Sequence, residues 1–209
     1  ADGREHIIVH VGDLIDRGPE SRGVIDRIWR MQSADPGHVI TIKGNHEELM
    51  LNAYDHDDSG GVYYWAVNGG DETIASYKRA NGDSDDWRDA IDKSHITWLR
   101  TLPAIWRDEA RKLVFVHGGI DPTTFPNCSD ELRMWTRSDK FFDPNRWPKR
   151  PELDTLARNV ALWRHRFTPP DGRAFEQGED PWLGPSLEFT RREPGSAMML
   201  GIERSRARV

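Results

Sequence analysis

His10-Val11-Gly12-Asp13-Leu14-Ile15-Asp16-Arg17-Gly18-Pro19 is the segment from which the fold can be read. It continues Ile7-Ile8-Val9, so a β-branched run over residues 7–11 stops abruptly at a glycine and a carboxylate. A short apolar run bounded by turn residues predicts a buried strand. Gly18-Pro19 punctuates the chain, and residues 20–33 then carry helical spacing, with Val24, Ile25, Ile28 and Trp29 on one face. Asp35-Pro36-Gly37 closes that helix. A second strand is predicted at 38–43, stopping at Gly44-Asn45, and a helix opens at once with Leu49, Met50, Ala53 and Tyr54 at helical spacing. Strand, helix, strand, helix predicts an α/β fold.

Downstream, residues 55–61 read as a loop, and 62–80 as helix broken around Asn68-Gly69-Gly70-Asp71. Residues 82–86 read as a solvated loop. Helical patterns cover 86–92 and 95–101, with Ser94 the expected N-cap of the second. Two strands are predicted at about 103–108 and 112–117, joined as a hairpin through Asp108 to Arg111. Residues 130–142 fit a helix or a strand. Residues 143–195 are crowded with Pro, Arg and Trp and show no clean period, and a short strand is predicted at 197–202.

The chain has 209 residues, which fits one domain or two small ones. Its net charge of −6, from 29 Lys and Arg against 35 Asp and Glu, argues against a nucleic-acid partner. No apolar run approaches the ~18 residues of a membrane span. The lone Cys128 excludes an internal disulfide and a Cys-rich zinc site, and it suits a reducing compartment, hence a cytoplasmic expectation. The polar opening Ala1-Asp2-Gly3-Arg4-Glu5-His6 is unlike a signal peptide. A start at Ala1 reads as a processed end or a missing beginning.

Three predicted strands end in polar, glycine-bearing turns: Gly12-Asp13, Gly44-Asn45-His46 and His117-Gly118-Gly119. In open α/β sheets the carboxyl ends of strands surround one crevice, where ligands bind. The turns deliver a carboxylate (Asp13), an amide oxygen (Asn45) and two imidazoles (His46, His117), donors that suit a divalent cation. The adjacent glycines let backbone pass close to a metal or phosphate. Arg17, in the first turn, suits bidentate contact with a phosphate.

These motifs, Gly12-Asp13-Leu14-Ile15-Asp16-Arg17-Gly18, Gly44-Asn45-His46-Glu47 and His117-Gly118-Gly119, resemble the phosphoprotein phosphatase branch of the calcineurin-like metallophosphoesterases. Within it, bacterial and phage serine/threonine phosphatases and symmetrical diadenosine tetraphosphate hydrolases are the nearest in character. Asn68-Gly69-Gly70-Asp71-Glu72-Thr73 adds to the likeness, which covers 7–142 and leaves 143–209 as a divergent C-terminal part of a single domain, 1–209. The resemblance implies two β-sheets flanked by helices and a two-metal site of manganese, iron or zinc. Asp13 would bridge the ions, and Asn45 and His117 would bind the second. His46 would be the general acid, oriented by Asp16. Arg17 would hold the phosphate, with Arg137 as a second clamp. The reaction implied is in-line attack on phosphorus by a metal-bound hydroxide. Substrates would be phosphorylated proteins or small phosphoesters.

Two features depart from the family pattern. Its members begin with a strand ending Gly-Asp-x-His-Gly, and this chain starts where their second strand stands, so the resemblance implies an N-terminally incomplete fold. A later Gly-His-Thr-Pro stretch has its nearest match in Arg164-His165-Arg166-Phe167-Thr168-Pro169, with Phe167 at the ligand position. The retained donors then suffice for one mononuclear site or for none. A serine/threonine-type protein phosphatase is the first expectation. The alternatives are a symmetrical dinucleoside tetraphosphate hydrolase, or a truncated, inactive remnant that binds phosphate. The nine tryptophans are expected to be core and surface filler.

Overall fold

Ile8, Val9 and His10 form β1 (Ile8–His10), which stops where Gly12 takes a φ of +87°, a value that side chains disfavour. In the computed structural model, residues 6–56, 59–110, 113–136, 144–149 and 198–201 are described. They fall into two compact units, Ala1–Trp106 and Arg107–Val209.

In the first unit β1 leads into α1 (Ser21–Ala34), which returns the chain to β2 (Val39–Thr41). The two strands pair in parallel, Ile8 opposite Val39 and His10 opposite Thr41. A parallel pair needs such a crossover, and α1 supplies it. α1 buries Ile25 and Ile28, as its spacing predicts, whereas Val24 is exposed at 38%. α2 (Asn45–Asp55) begins one residue after Gly44 and buries Leu49, Met50, Leu51 and Ala53. Arg88 closes its far end, donating to the carbonyls of Ala53, Tyr54 and His56.

α3 (Ser59–Trp65) runs into a widened turn over Ala66–Gly70, and α4 (Asp71–Asn81) follows. The predicted loop at 55–61 is therefore shorter, because Gly60 and Gly61 are helical. The predicted break is present, and Gly69 makes it with a φ of +103°. α5 (Trp87–Ala90) and α6 (Lys93–Thr101) complete the unit. Asp92, not Ser94, precedes α6, so the helix starts two residues before its predicted first position. Ile25, Ile42, Met50, Trp65, Tyr77, Ile96 and Leu99 form a core that is at most 1% exposed.

β3 (Ile105–Asp108), β4 (Leu113–Val116) and β5 (Met198–Gly201) form a three-stranded sheet in that order. β4 and β5 are parallel, with Leu113 opposite Met198. α7 (Asp130–Trp135) is capped by Ser129, whose hydroxyl accepts from the Leu132 N–H. This settles the first half of the ambiguous 130–142 stretch as helix. The second unit buries Val114, Val116, Ile120, Phe125, Met134 and Trp147. The architecture is α/β, with two small sheets and flanking helices. Arg137 and His165 lie outside the described residues.

Candidate active site

Two turns of the first unit meet, and their glycines let them do so. A Cβ on Gly12 would stand 2.3 Å from the Gly44 nitrogen, and one on Gly44 would stand 2.4 Å from Asp13 Oδ1. The sequence suggested glycines cleared for a ligand; in the structure their first use is to bring turn against turn. Glu47 fastens the contact. It accepts the N–H groups of Asp13 (2.9 Å) and Gly44 (2.8 Å) on Oε2, and that of Leu14 (2.6 Å) on Oε1. Glu47 is fully buried, and burial, with the Asp13 charge beside it, pushes its carboxyl up to about 7 against the pull of those three N–H groups.

The first turn is backbone-strained. Asp13, Asp16 and Arg17 have φ of +54°, +74° and +60°. Non-glycine residues rarely adopt such values, and they gather at functional sites. Arg17 is held there by its N–H, which donates to the Gly69 carbonyl at 3.0 Å. A Cβ on Gly69 would strike the Arg17 side chain at 2.6 Å.

The turns place four of the candidate side chains together. Asp13 Oδ1 accepts from the His46 backbone N–H at 3.3 Å, at the positive end of α2. His46 is buried, and its Nδ1 donates to Asp16 Oδ2 at 2.6 Å. On the far side of the ring, Arg17 Nη2 lies 3.0 Å from Nε2. A guanidinium can only donate. In this arrangement Nδ1 therefore carries the hydrogen and Nε2 presents its lone pair. Asp16, entirely buried as a side chain, also accepts from Trp65 Nε1 and from Thr73 Oγ1. Trp65 escaped the sequence reading, and Thr73 stood there only as the end of the Asn68–Thr73 motif, without a role. An individual tryptophan carries no spacing signal.

Asn45 is buried at the first position of α2. His117 follows β4 in the second unit and is also buried. Its turn is tied to α7, since the Gly118 N–H donates to the Arg133 carbonyl at 2.6 Å. A Cβ on Gly118 would lie 2.8 Å from the Met134 carbonyl oxygen.

Asp13 and Asn45 offer the oxygen donors a hard or borderline divalent cation prefers. His46 and Glu47 are otherwise engaged, His46 with Asp16 and Arg17, Glu47 with three backbone groups. Among the described residues no three His, Cys, Asp or Glu side chains cluster to hold a metal ion. The donors of the first unit thus suit such an ion in kind. Among the described residues no helix is long and apolar enough to cross a membrane.

Comparison with known proteins gives a consistent result. A family profile described as "Calcineurin-like phosphoesterase" matches residues 1–188. A protein of Erwinia tasmaniensis named "Bis(5'-nucleosyl)-tetraphosphatase, symmetrical" is 30% identical over 187 residues, covering 81% of this chain and 60% of its own length. Proteins of the same name from Serratia proteamaculans and Yersinia enterocolitica are each 32% identical over 179 residues, 78% of this chain and 55% and 53% of theirs. The chain therefore spans little more than half the length of the curated relatives it matches.

Proposed function

The chain belongs to the calcineurin-like phosphoesterase family, and from that premise we propose that it hydrolyses phosphoric anhydrides of the dinucleoside polyphosphate kind. The observation that carries the hydrolase reading is the buried Asp16–His46 pair with Arg17 against it, on turns that also hold Asp13 and Asn45; the choice of substrate rests on the relatives. The family implies divalent metal ions; Asp13 and Asn45 would contribute oxygen ligands, and His117 is proposed as a ligand from the motif resemblance alone. When bound, such ions supply positive charge that activates the attacking water and offsets charge growing on the phosphoryl oxygens.

The chain's own groups then divide the work. Arg17 leaves His46 Nε2 and takes phosphate oxygens through its planar fork. The freed Nε2 binds a proton from solvent and gives it to the leaving oxygen, a role worth roughly 10²–10⁴ in rate. Asp16 keeps the imidazole aimed through Nδ1 and stabilises its positive form. Arg137, from the motif Trp135-Thr136-Arg137, is proposed as a second phosphate clamp. The lone Cys128 supports a reducing, cytoplasmic setting.

A serine/threonine protein phosphatase is the second reading, with which the motifs Gly12–Gly18 and Gly44–Glu47 agree equally well. Both substrates ask for the same centre. The relatives' shared name favours the dinucleotide. The test is competition on the full chain supplied with manganese. Diadenosine tetraphosphate should be cleaved faster than a phosphoserine peptide, giving two molecules of ADP. Faster release of phosphate from the peptide would replace the first reading by the second.

A further inference from the structure

The Asp16 carboxylate is more heavily furnished than a partner for one histidine needs. Trp65 Nε1 lies 3.1 Å from both of its oxygens, and Thr73 Oγ1 lies 2.6 Å from Oδ1. Its own backbone N–H is held by Thr73 Oγ1 at 2.9 Å and by Ser21 Oγ at 3.2 Å. Trp65 and Thr73 are both fully buried.

The seat of the Trp65 ring is built for it. Gly70 lies against one part of the ring, where a Cβ would stand 2.5 Å from Cδ2 and Cε2. Trp87 packs at a ring-centre distance of 5.2 Å, and Tyr54 packs edge-on to Trp87. The widened turn at Ala66–Gly70 directly follows Trp65, and such irregular turns within helices concentrate at functional sites. An indole can only donate, so a buried indole aimed at a carboxylate fixes the anion's orientation. A buried charge with incomplete partners would be costly, and these two donors complete it.

We propose that Trp65, with Thr73, is a positioning residue that locks the Asp16 carboxylate and through it the orientation and tautomer of His46. The proposal deepens the reading of His46 as the proton donor and rests on it. Trp65 touches no reacting atom. It acts by denying Asp16 a second rotamer, so that the Nδ1–H of His46 has one acceptor direction and Nε2 faces the leaving oxygen.

Two measurements on the full chain test this. The first is proton NMR without substrate. A 2.6 Å bond from His46 Nδ1 to a locked carboxylate should give a low-field imidazole resonance, absent in His46→Asn. The Trp65 indole N–H should resist exchange. In Trp65→Phe, which keeps a ring but removes the donor, the low-field signal should move upfield or broaden. A rapidly exchanging Trp65 indole in the unaltered chain overturns the proposal even if the variant fails to fold.

The second is leaving-group dependence with manganese supplied. A weakened proton donor harms poor leaving groups most. In Trp65→Phe the ratio of kcat for p-nitrophenyl phosphate to kcat for phenyl phosphate should rise about tenfold, with KM little changed. A purely structural role would lower both rates alike, and that result overturns the proposal. His46→Asn separates the two levels. If it raises the ratio and Trp65→Phe does not, the positioning claim falls and the proton donor stands. If His46→Asn leaves the ratio unchanged, the proton-donor reading falls and takes this proposal with it.

Discussion

Asp13, Asp16 and Arg17 hold left-handed backbone in a turn only a few residues long, and each such residue costs on the order of 1–3 kcal/mol. The strain is held in place by identifiable groups: Glu47 on the Asp13 and Leu14 N–H groups, Thr73 and Ser21 on that of Asp16, and the Gly69 carbonyl on that of Arg17. Gly44→Ala should therefore be severe, since its Cβ would sit 2.5 Å from the Asp13 backbone nitrogen. We expect a loss of about 2 kcal/mol or more in urea denaturation. Arg17→Ala should leave folding intact and weaken inhibition by inorganic phosphate at least about tenfold, because a charge-assisted contact is lost. Asp13, Asn45, His46 and Arg17 stood out in the sequence as candidates because their side-chain chemistry follows predicted strand ends. Glu47 and Trp65 were not, because what makes them matter is where their polar atoms point, and spacing does not report that.

Among the elements, α1, α4 and α6 are joined by polar bonds as well as by apolar packing. Tyr77 of α4 donates to His95 Nδ1 of α6 at 2.8 Å, and the other ring nitrogen lies 3.5 Å from Asp26 of α1. Arg22 of α1 reaches Asp92 at 2.9 Å, and the Trp29 ring meets His95 edge-on. Burial lowers the His95 pKa from its ordinary 6.5, against the partly opposing pull of Asp92 and Asp26, with Arg22 adding to the lowering. Burial also raises that of Tyr77, so its hydroxyl stays protonated. The sign follows. The unfolded chain takes up a proton at 6.5 while the folded one resists, so stability from this site is present above 6.5 and is lost as pH falls through the lower folded value. Thermal midpoints should drop on acidification below about pH 6.5, and the slope should flatten in His95→Gln. The helices themselves were largely legible from period and punctuation. Their ends were less so: Asp92 took the place expected for Ser94, and Gly60-Gly61 joined a helix because burial of Trp65 outweighs glycine's poor propensity.

At the scale of the whole molecule, the chain divides into two units, the first carrying the turns of Asp13 and Asn45 and the second the turn of His117. The second unit's strands were legible, because β4 is a compact apolar run, whereas residues 130–142 fitted a helix or a strand and only the structure shows α7 with its Ser129 cap. The stretch beyond them gave no period to read. If His117 is a metal ligand, His117→Ala should weaken manganese binding at least about tenfold, as read by electron paramagnetic resonance, while the chain stays folded. Equal affinity would remove His117 from the ligand set. The most direct test of the account is turnover of p-nitrophenyl phosphate by the full chain with manganese, beside Asp13→Asn and His46→Asn. The account predicts hydrolysis by the unaltered chain and its loss in both variants. Undiminished hydrolysis by either variant, or none by the unaltered chain, would contradict it.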